Sequence, residues 1–188
     1  MKKWELKIAP GFDPKTQKQI GLFSAQLDDQ LSRLKKELKG LTVKQLEWQL
    51  KPGMNTIGML LAHFAIAEVW WILIASKELP WETKGKQKLI KVCGLEDDGI
   101  PLATDGLHPK YLKGFSLDKY LKILNKSRRA VRKELKTWRD RDLNKFYTVD
   151  KMQATPASTI YHVLEHFCGH FGQILLLKHL LRDAKLLK

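Results

Sequence analysis

Cysteine is scarce. Cys93 and Cys168 are the only two in 188 residues, too few for a disulfide framework, so a reducing, cytoplasmic setting is expected. Acidic side chains are also short, with twenty Asp and Glu against thirty-four Lys and Arg, a formal charge of +14. That surplus favours anionic partners without choosing among nucleic acid, acidic lipid and charged metabolites. Much of it lies in RLKKELK (33 to 39) and KSRRAVRKELK (126 to 136), where interleaved acids indicate solvated helix faces. No recognition-helix motif and no basic stripe interleaved with aromatics accompanies it, so nucleic acid is not expected as a partner.

Long apolar runs are nearly absent as well. MLLAHFAIAEVWWILIA (59 to 75) approaches the length of a bilayer span, but His63 and Glu68 would be costly in lipid and no second run follows. A helix buried in protein is expected, and no membrane. The start MKKWELKIAPGFD has no apolar region after its lysines that would make a signal sequence. The length suits one domain, residues 1 to 188.

The periodicity present is helical. Ile20, Phe23, Leu27, Leu31, Leu34 and Leu38 recur every three or four positions and predict a first amphipathic helix over 19 to 38. LTVKQLEWQLKPG (41 to 53) predicts a short helix stopped by Pro52 and Gly53, after which Asn55 can cap a second long helix running to about Lys77. Residues 78 to 115, with prolines at 80, 101 and 109, read as a long irregular crossover and a candidate lid.

Ser116 can cap a third helix striped by Leu117, Leu121, Leu124, Val131, Leu135 and Trp138, with Ser127 and Arg128 in the one turn the stripe skips. Thr155 followed by Pro156 starts a fourth helix, to about Arg182. No segment reads as a strand. The expected class is therefore all-α, a four-helix bundle with a long crossover connection between helices two and three.

The chemistry-bearing residues lie on two of these helices. In YHVLEHFCGHFGQILLLKHL (161 to 180), His162, His166 and His170 are spaced by four, which sets them along one side of a helix. His63 shares a stripe of the second helix with Met59, Ile66, Ala67, Trp70 and Ile74, so its ring is expected to point inward and to need a partner. A lone buried histidine is satisfied by a backbone carbonyl, but a row of three facing a fourth suits a divalent metal, since bundles build metal sites from facing helices. Cys168 lies two residues from both His166 and His170, about 200° around the helix from each, and is expected to be an inert core thiol. Glu68 points away from His63, toward a salt bridge with a neighbouring helix.

NTIGMLLAHFAIAE (55 to 68) together with HVLEHFCGHFGQI (162 to 174) resembles the DinB-like superfamily, which includes damage-inducible proteins and thiol-dependent S-transferases. The family's pattern, roughly H-x3-H-x2-H-H-R-G-Q-[IL], is matched at His162, His166, His170, Gly172, Gln173 and Ile174; Gly169 replaces the first histidine of the usual pair and Phe171 the arginine. The resemblance implies a divalent metal held by His63, His166 and His170, a bundle of crossover topology and a homodimer. His162 and Gln173 would support the metal from outside its ligand shell or line the cavity.

Three imidazoles with an open position suit zinc, nickel or iron alike. The resemblance also implies a small-molecule substrate: an enzyme that activates a low-molecular-weight thiol, such as bacillithiol, for S-transfer to an electrophile. A basic cavity rim, with Ser127 and Arg128 at its edge, would meet the thiol's carboxylates. The competing expectation is a stress-linked metal-binding protein without turnover. A packing serine and a snorkelling arginine are the alternative for Ser127 and Arg128.

Overall fold

The computed structural model describes residues 5 to 96, 102 to 149 and 151 to 187. The element order is α1 (Lys18–Leu38), α2 (Val43–Leu46), α3 (Ile57–Val69), α4 (Lys86–Cys93), α5 (Leu117–Leu135), a hairpin of β1 (Tyr147–Val149) and β2 (Met152–Ala154), and α6 (Pro156–Asp183). The protein is mostly helical, with one small two-stranded sheet among the described residues.

The stripe expected of α1 is its buried face: Ile20, Phe23, Leu27, Leu31, Leu34 and Leu38 all lie in the core. No side chain next to the start of α1 caps it. Its free N–H groups are met instead by Asp140, whose carboxylate accepts from the amides of Gln19 and Ile20 at 2.9 and 3.2 Å; a negative charge there also complements the helix dipole. The side-chain Nε2 of Gln17 donates to the carbonyls of Lys136 and Trp138. These bonds tie the start of α1 to the chain that leaves α5.

α3 is buried nearly all round, as expected of a helix at the centre of a core. Helical backbone continues past Val69 through a wide π-turn, Trp70–Ile74, and a tight final turn, Ala75–Lys77. The stretch Ile57–Lys77 is long and apolar enough to cross a membrane by composition, but 78% of its most apolar window is buried within the protein, which accounts for its hydropathy as core. Thr56, and not Asn55, caps α3: its hydroxyl accepts from the Met59 amide at 3.0 Å while its own backbone is extended. Gly58 permits the close approach of α5, because a Cβ there would lie 2.5 Å from the hydroxyl oxygen of Tyr120.

α5 and α6 begin where the sequence puts them, with Ser116 accepting from the Lys119 amide and Thr155 forming a reciprocal capping pair with Ser158 around Pro156. α3 packs along α5, and α6 lies against α1 and α3.

Two further expectations are corrected. The connection from 78 to 115 is not irregular throughout: it holds α4, which packs on α3 and α5, and its 104 to 108 stretch is bonded to the approach to α3, with the Gly53 amide donating to Gly106 and the Thr56 hydroxyl contacting the His108 ring. Residues 97 to 101 lie outside the described residues. Strands also occur where none was expected, because β1 and β2 are three residues each, too short to show a period of two. They pair antiparallel, Tyr147 with Ala154 and Val149 with Met152, and pack Val149 and Ala154 on Ala75, Trp70 and Trp71.

Candidate metal centre

α3 contributes His63; α6 contributes His166 and His170, one turn apart. Their rings converge, with centroids 4.6 Å apart for His63 and His166, 4.9 Å for His63 and His170, and 4.4 Å for His166 and His170. The convergence is at one atom of each ring. Nε2 of His166 lies 2.8 Å from Nε2 of His63 and 3.1 Å from Nε2 of His170. Among the described residues, these form the one group of three His, Cys, Asp or Glu side chains close enough to hold an ion.

The donor set fits a divalent metal. Zinc–nitrogen bonds of about 2.0–2.1 Å at tetrahedral angles put ligand nitrogens roughly 3.3 Å apart, so His166 needs to part from each of the other two by only a few tenths of an ångström, and all three ligand atoms lie within 4.8 Å of one another. All three are half-buried. For His63 this departs from the fully inward ring expected from its stripe: neighbours on α3 are covered, but the ring faces α6 at a site that solvent reaches.

The electrostatics agree with neutral imidazoles. Burial, and then the neighbouring rings of His63, His170 and His162, push the pKa of His166 down to about 3. Nδ1 of His170 lies 2.8 Å from Oε1 of Gln173; with the proton on Nδ1, the Nε2 lone pair is left facing the other two rings. Gln173 thus stands where it can fix the ring and the tautomer of His170.

His162 does not join the three. It is partly exposed, its ring 5.7 Å from that of His166 and 4.7 Å from the indole of Trp71. It lines a cavity of about 340 Å³ with Trp71, Met152, Gln153, Ser158 and Thr159, in keeping with a cavity-lining role. Sequence reasoning missed Trp71 and the hairpin as neighbours of the histidines, and the Trp-Trp pair at 70 and 71 was the one available signal.

Ser127 and Arg128 are not at this rim. The Ser127 hydroxyl donates back to the carbonyls of Ile123 and Leu124 on its own helix. Arg128 neither contacts an anion at a rim nor snorkels: it is buried, and its guanidinium grips both carboxylate oxygens of Glu68, with Nε to Oε2 at 3.0 Å, and reaches Asp28 at 3.4 Å. Burial opposes the charge of Arg128, but Glu68 and then Asp28 outweigh it and hold its pKa above the ordinary value. The guanidinium also lies over the ring of Phe167, 5.7 Å from the centroid, and Phe167 stacks on Phe64 at 4.2 Å. Glu68 makes the interhelix salt bridge expected of it.

The cavity beside His162 also lacks the expected basic rim; Lys35, Arg129 and Arg132 gather instead at a separate cavity between α1 and α5. Cys168 is exposed on α6 and is not a core thiol, because the side of α6 opposite the histidines faces solvent. Partial burial still raises its pKa, which keeps it a poor nucleophile. Cys93 is the buried one, its thiol pushed up to about 12 by burial and by Glu68.

Fold and site together define a helical protein with a candidate tri-histidine metal centre. The chain belongs to the DinB superfamily, whose family model matches residues 26 to 174. Two solved structures share the fold. A DinB-like protein from Bacillus cereus is 21% identical with a TM-score of 0.56, covering 92% of this chain and 95% of that one. A protein described as the conserved protein of locus from Enterococcus faecalis is 18% identical with a TM-score of 0.61, covering 83% and 92%. No curated protein matches the chain.

Proposed function

We propose that the protein is a metal-dependent enzyme that activates a low-molecular-weight thiol, such as bacillithiol, for transfer of its sulfur to an electrophile. The observation that carries this reading is the convergence of three Nε2 atoms, at 2.8 and 3.1 Å, on one half-exposed point. His63, His166 and His170 would hold the ion, as zinc, nickel or iron, and leave a coordination position open.

When bound, the ion supplies Lewis acidity that favours thiolate over thiol at neutral pH. Gln173 keeps the His170 proton on Nδ1, and the neutral His166 stays available as a ligand across the physiological range. The thiol proton leaves to solvent, the sulfur bonds to the electrophilic carbon, and the leaving group departs with its electron pair.

The four long helices are read as a bundle of crossover topology, within a single domain over 1 to 188 working in the cytoplasm. The exposed apolar side chains Tyr161, Leu175 and Leu176 on α6 suit a homodimer seam. Metal-loaded protein given bacillithiol and a chromogenic electrophile is expected to turn over, and to stop in His166→Ala. Turnover indifferent to that change overturns the reading.

One observation favours a second reading, a stress-linked metal-binding protein without turnover: Phe171 stands where the family pattern carries arginine, and no Lys or Arg lines the neighbouring cavity among the described residues. Stoichiometric metal with no turnover of any thiol would support it.

A further inference from the structure

The cavity between the hairpin and α6 is the feature that the metal centre does not use. Its volume, about 340 Å³, falls at the lower end of ordinary small-ligand sites, roughly 300–1,000 Å³. It stands one ring away from the three histidines, along the line Trp71, His162, His166, with centroid separations of 4.7 and 5.7 Å.

Its lining carries no full charge, a property it shares with the cavity between α1 and α6: in a protein of net charge +14, no Lys, Arg, Asp or Glu lines it among the described residues. An ionic ligand would lose hydration there without gaining a counter-charge. Two of its polar groups are already engaged, since the Ser158 hydroxyl bonds to Thr155 and that of Thr159 to Tyr147. Gln153 and His162 remain to direct a polar group. Trp71 supplies an aromatic wall and Met152, 58% exposed, a thioether that adapts to flat or irregular apolar shapes.

The walls are also specifically held. The π-turn Trp70–Ile74 carries Trp71 toward the hairpin, and such turns recur at functional sites. The hairpin is pinned by the Tyr147–Thr159 contact and by the Thr148 amide donating to Glu78 at 2.7 Å.

We propose that this cavity binds a neutral, flat, predominantly apolar small molecule, with Trp71 and Met152 as its walls and Gln153 and His162 as its polar contacts. Resting on the thiol-transfer reading, this makes it the subsite of the electrophile, placed beside the metal centre and selective against ions. Binding itself requires no metal.

The test uses the full chain with and without metal, methionines labelled at the methyl carbon, and 1,3-dinitrobenzene as the probe, a neutral ring with no leaving group to arylate Cys168. The Met152 methyl resonance, assigned by its loss in Met152→Leu, is expected to shift saturably while those of Met54 and Met59 stay in place. Calorimetric affinity is expected to fall about tenfold or more in Trp71→Ala and in Met152→Glu, the second a change at an exposed position that folding tolerates. Benzenesulfonate is expected not to compete. An unmoved Met152 resonance, or an affinity indifferent to Met152→Glu, overturns the proposal. Binding by metal-free protein separates it from the metal centre: binding without turnover removes the thiol chemistry and leaves the cavity, whereas turnover without binding does the reverse.

Discussion

Gln173 accepts the Nδ1 proton of His170 at 2.8 Å and thereby turns the Nε2 lone pair of that ring toward His166. An exposed amide one turn along the helix thus sets the tautomer of a half-buried imidazole. Gln173→Ala is expected to fold normally and to bind metal about 10- to 100-fold more weakly, the range found when such supporting contacts are removed. Competition with a chromogenic chelator measures it, and unchanged affinity would show that Gln173 only finishes the helix face.

Removing a ligand should act more severely. His63→Ala and His166→Ala are each expected to take the metal content of protein purified without a histidine tag from stoichiometric to none, whereas His162→Ala keeps the metal, because its ring stands outside the converging three. Elemental analysis of the three variants decides this. Loss of metal in His162→Ala would place the site elsewhere on the row.

The pH dependence follows from His166. Its pKa falls from 6.5 to about 3 on folding, through burial first and the neighbouring rings second. Between those values the unfolded chain holds a proton on this group that the folded chain does not, so stability rises with pH there. The metal-free protein is expected to be fully stabilised by this group above about pH 6.5 and to lose that contribution progressively as the pH drops toward 3. His108, whose pKa burial also lowers, acts in the same direction. Denaturant midpoints across this window should show a shallower slope for His166→Ala than for the wild type. Metal release in acid should run in parallel, since protonated imidazole cannot ligate.

Glu68 and Arg128 form a buried pair, with side chains 4% and 7% exposed. Breaking it with Arg128→Met leaves an uncompensated carboxylate in the core and is expected to destabilise by about 3–5 kcal/mol. Glu68→Leu combined with Arg128→Met is expected to recover most of that loss. Chemical denaturation of the single and double variants measures the difference; a single variant as stable as wild type would mean that water reaches Glu68.

Much of this was legible before any coordinates. The starts of α5 and α6, the buried stripe of α1 and the histidine row of α6 follow from local rules of capping and periodicity, which need only near neighbours in the chain, whereas the choice of His63, His166 and His170 as ligands rests on the family resemblance. The Glu68 salt bridge was foreseen, but its partner was not, because which residue of α5 meets which residue of α3 depends on how the two helices are shifted along each other. Arg128 consequently read as either a rim residue or a snorkelling one, and it is neither. Cys168 was correctly set apart from the histidines by angle, but angle alone does not say which side of a helix is wet. The three-residue strands and the π-turn escaped because neither is long enough to declare a period.

By itself the amino-acid order determined the long helices, their caps and the imidazole row on α6, since these depend on the 3.6-residue repeat and on side chains bonding to backbone a few positions away. Only tertiary packing decided that His63 meets that row at Nε2, that Arg128 turns inward to Glu68, and that the hairpin closes an uncharged cavity beside His162. Those contacts join residues from 12 to 103 positions apart, and their geometry is set by the mutual burial of apolar helix faces, a property of the whole core and not of any one segment.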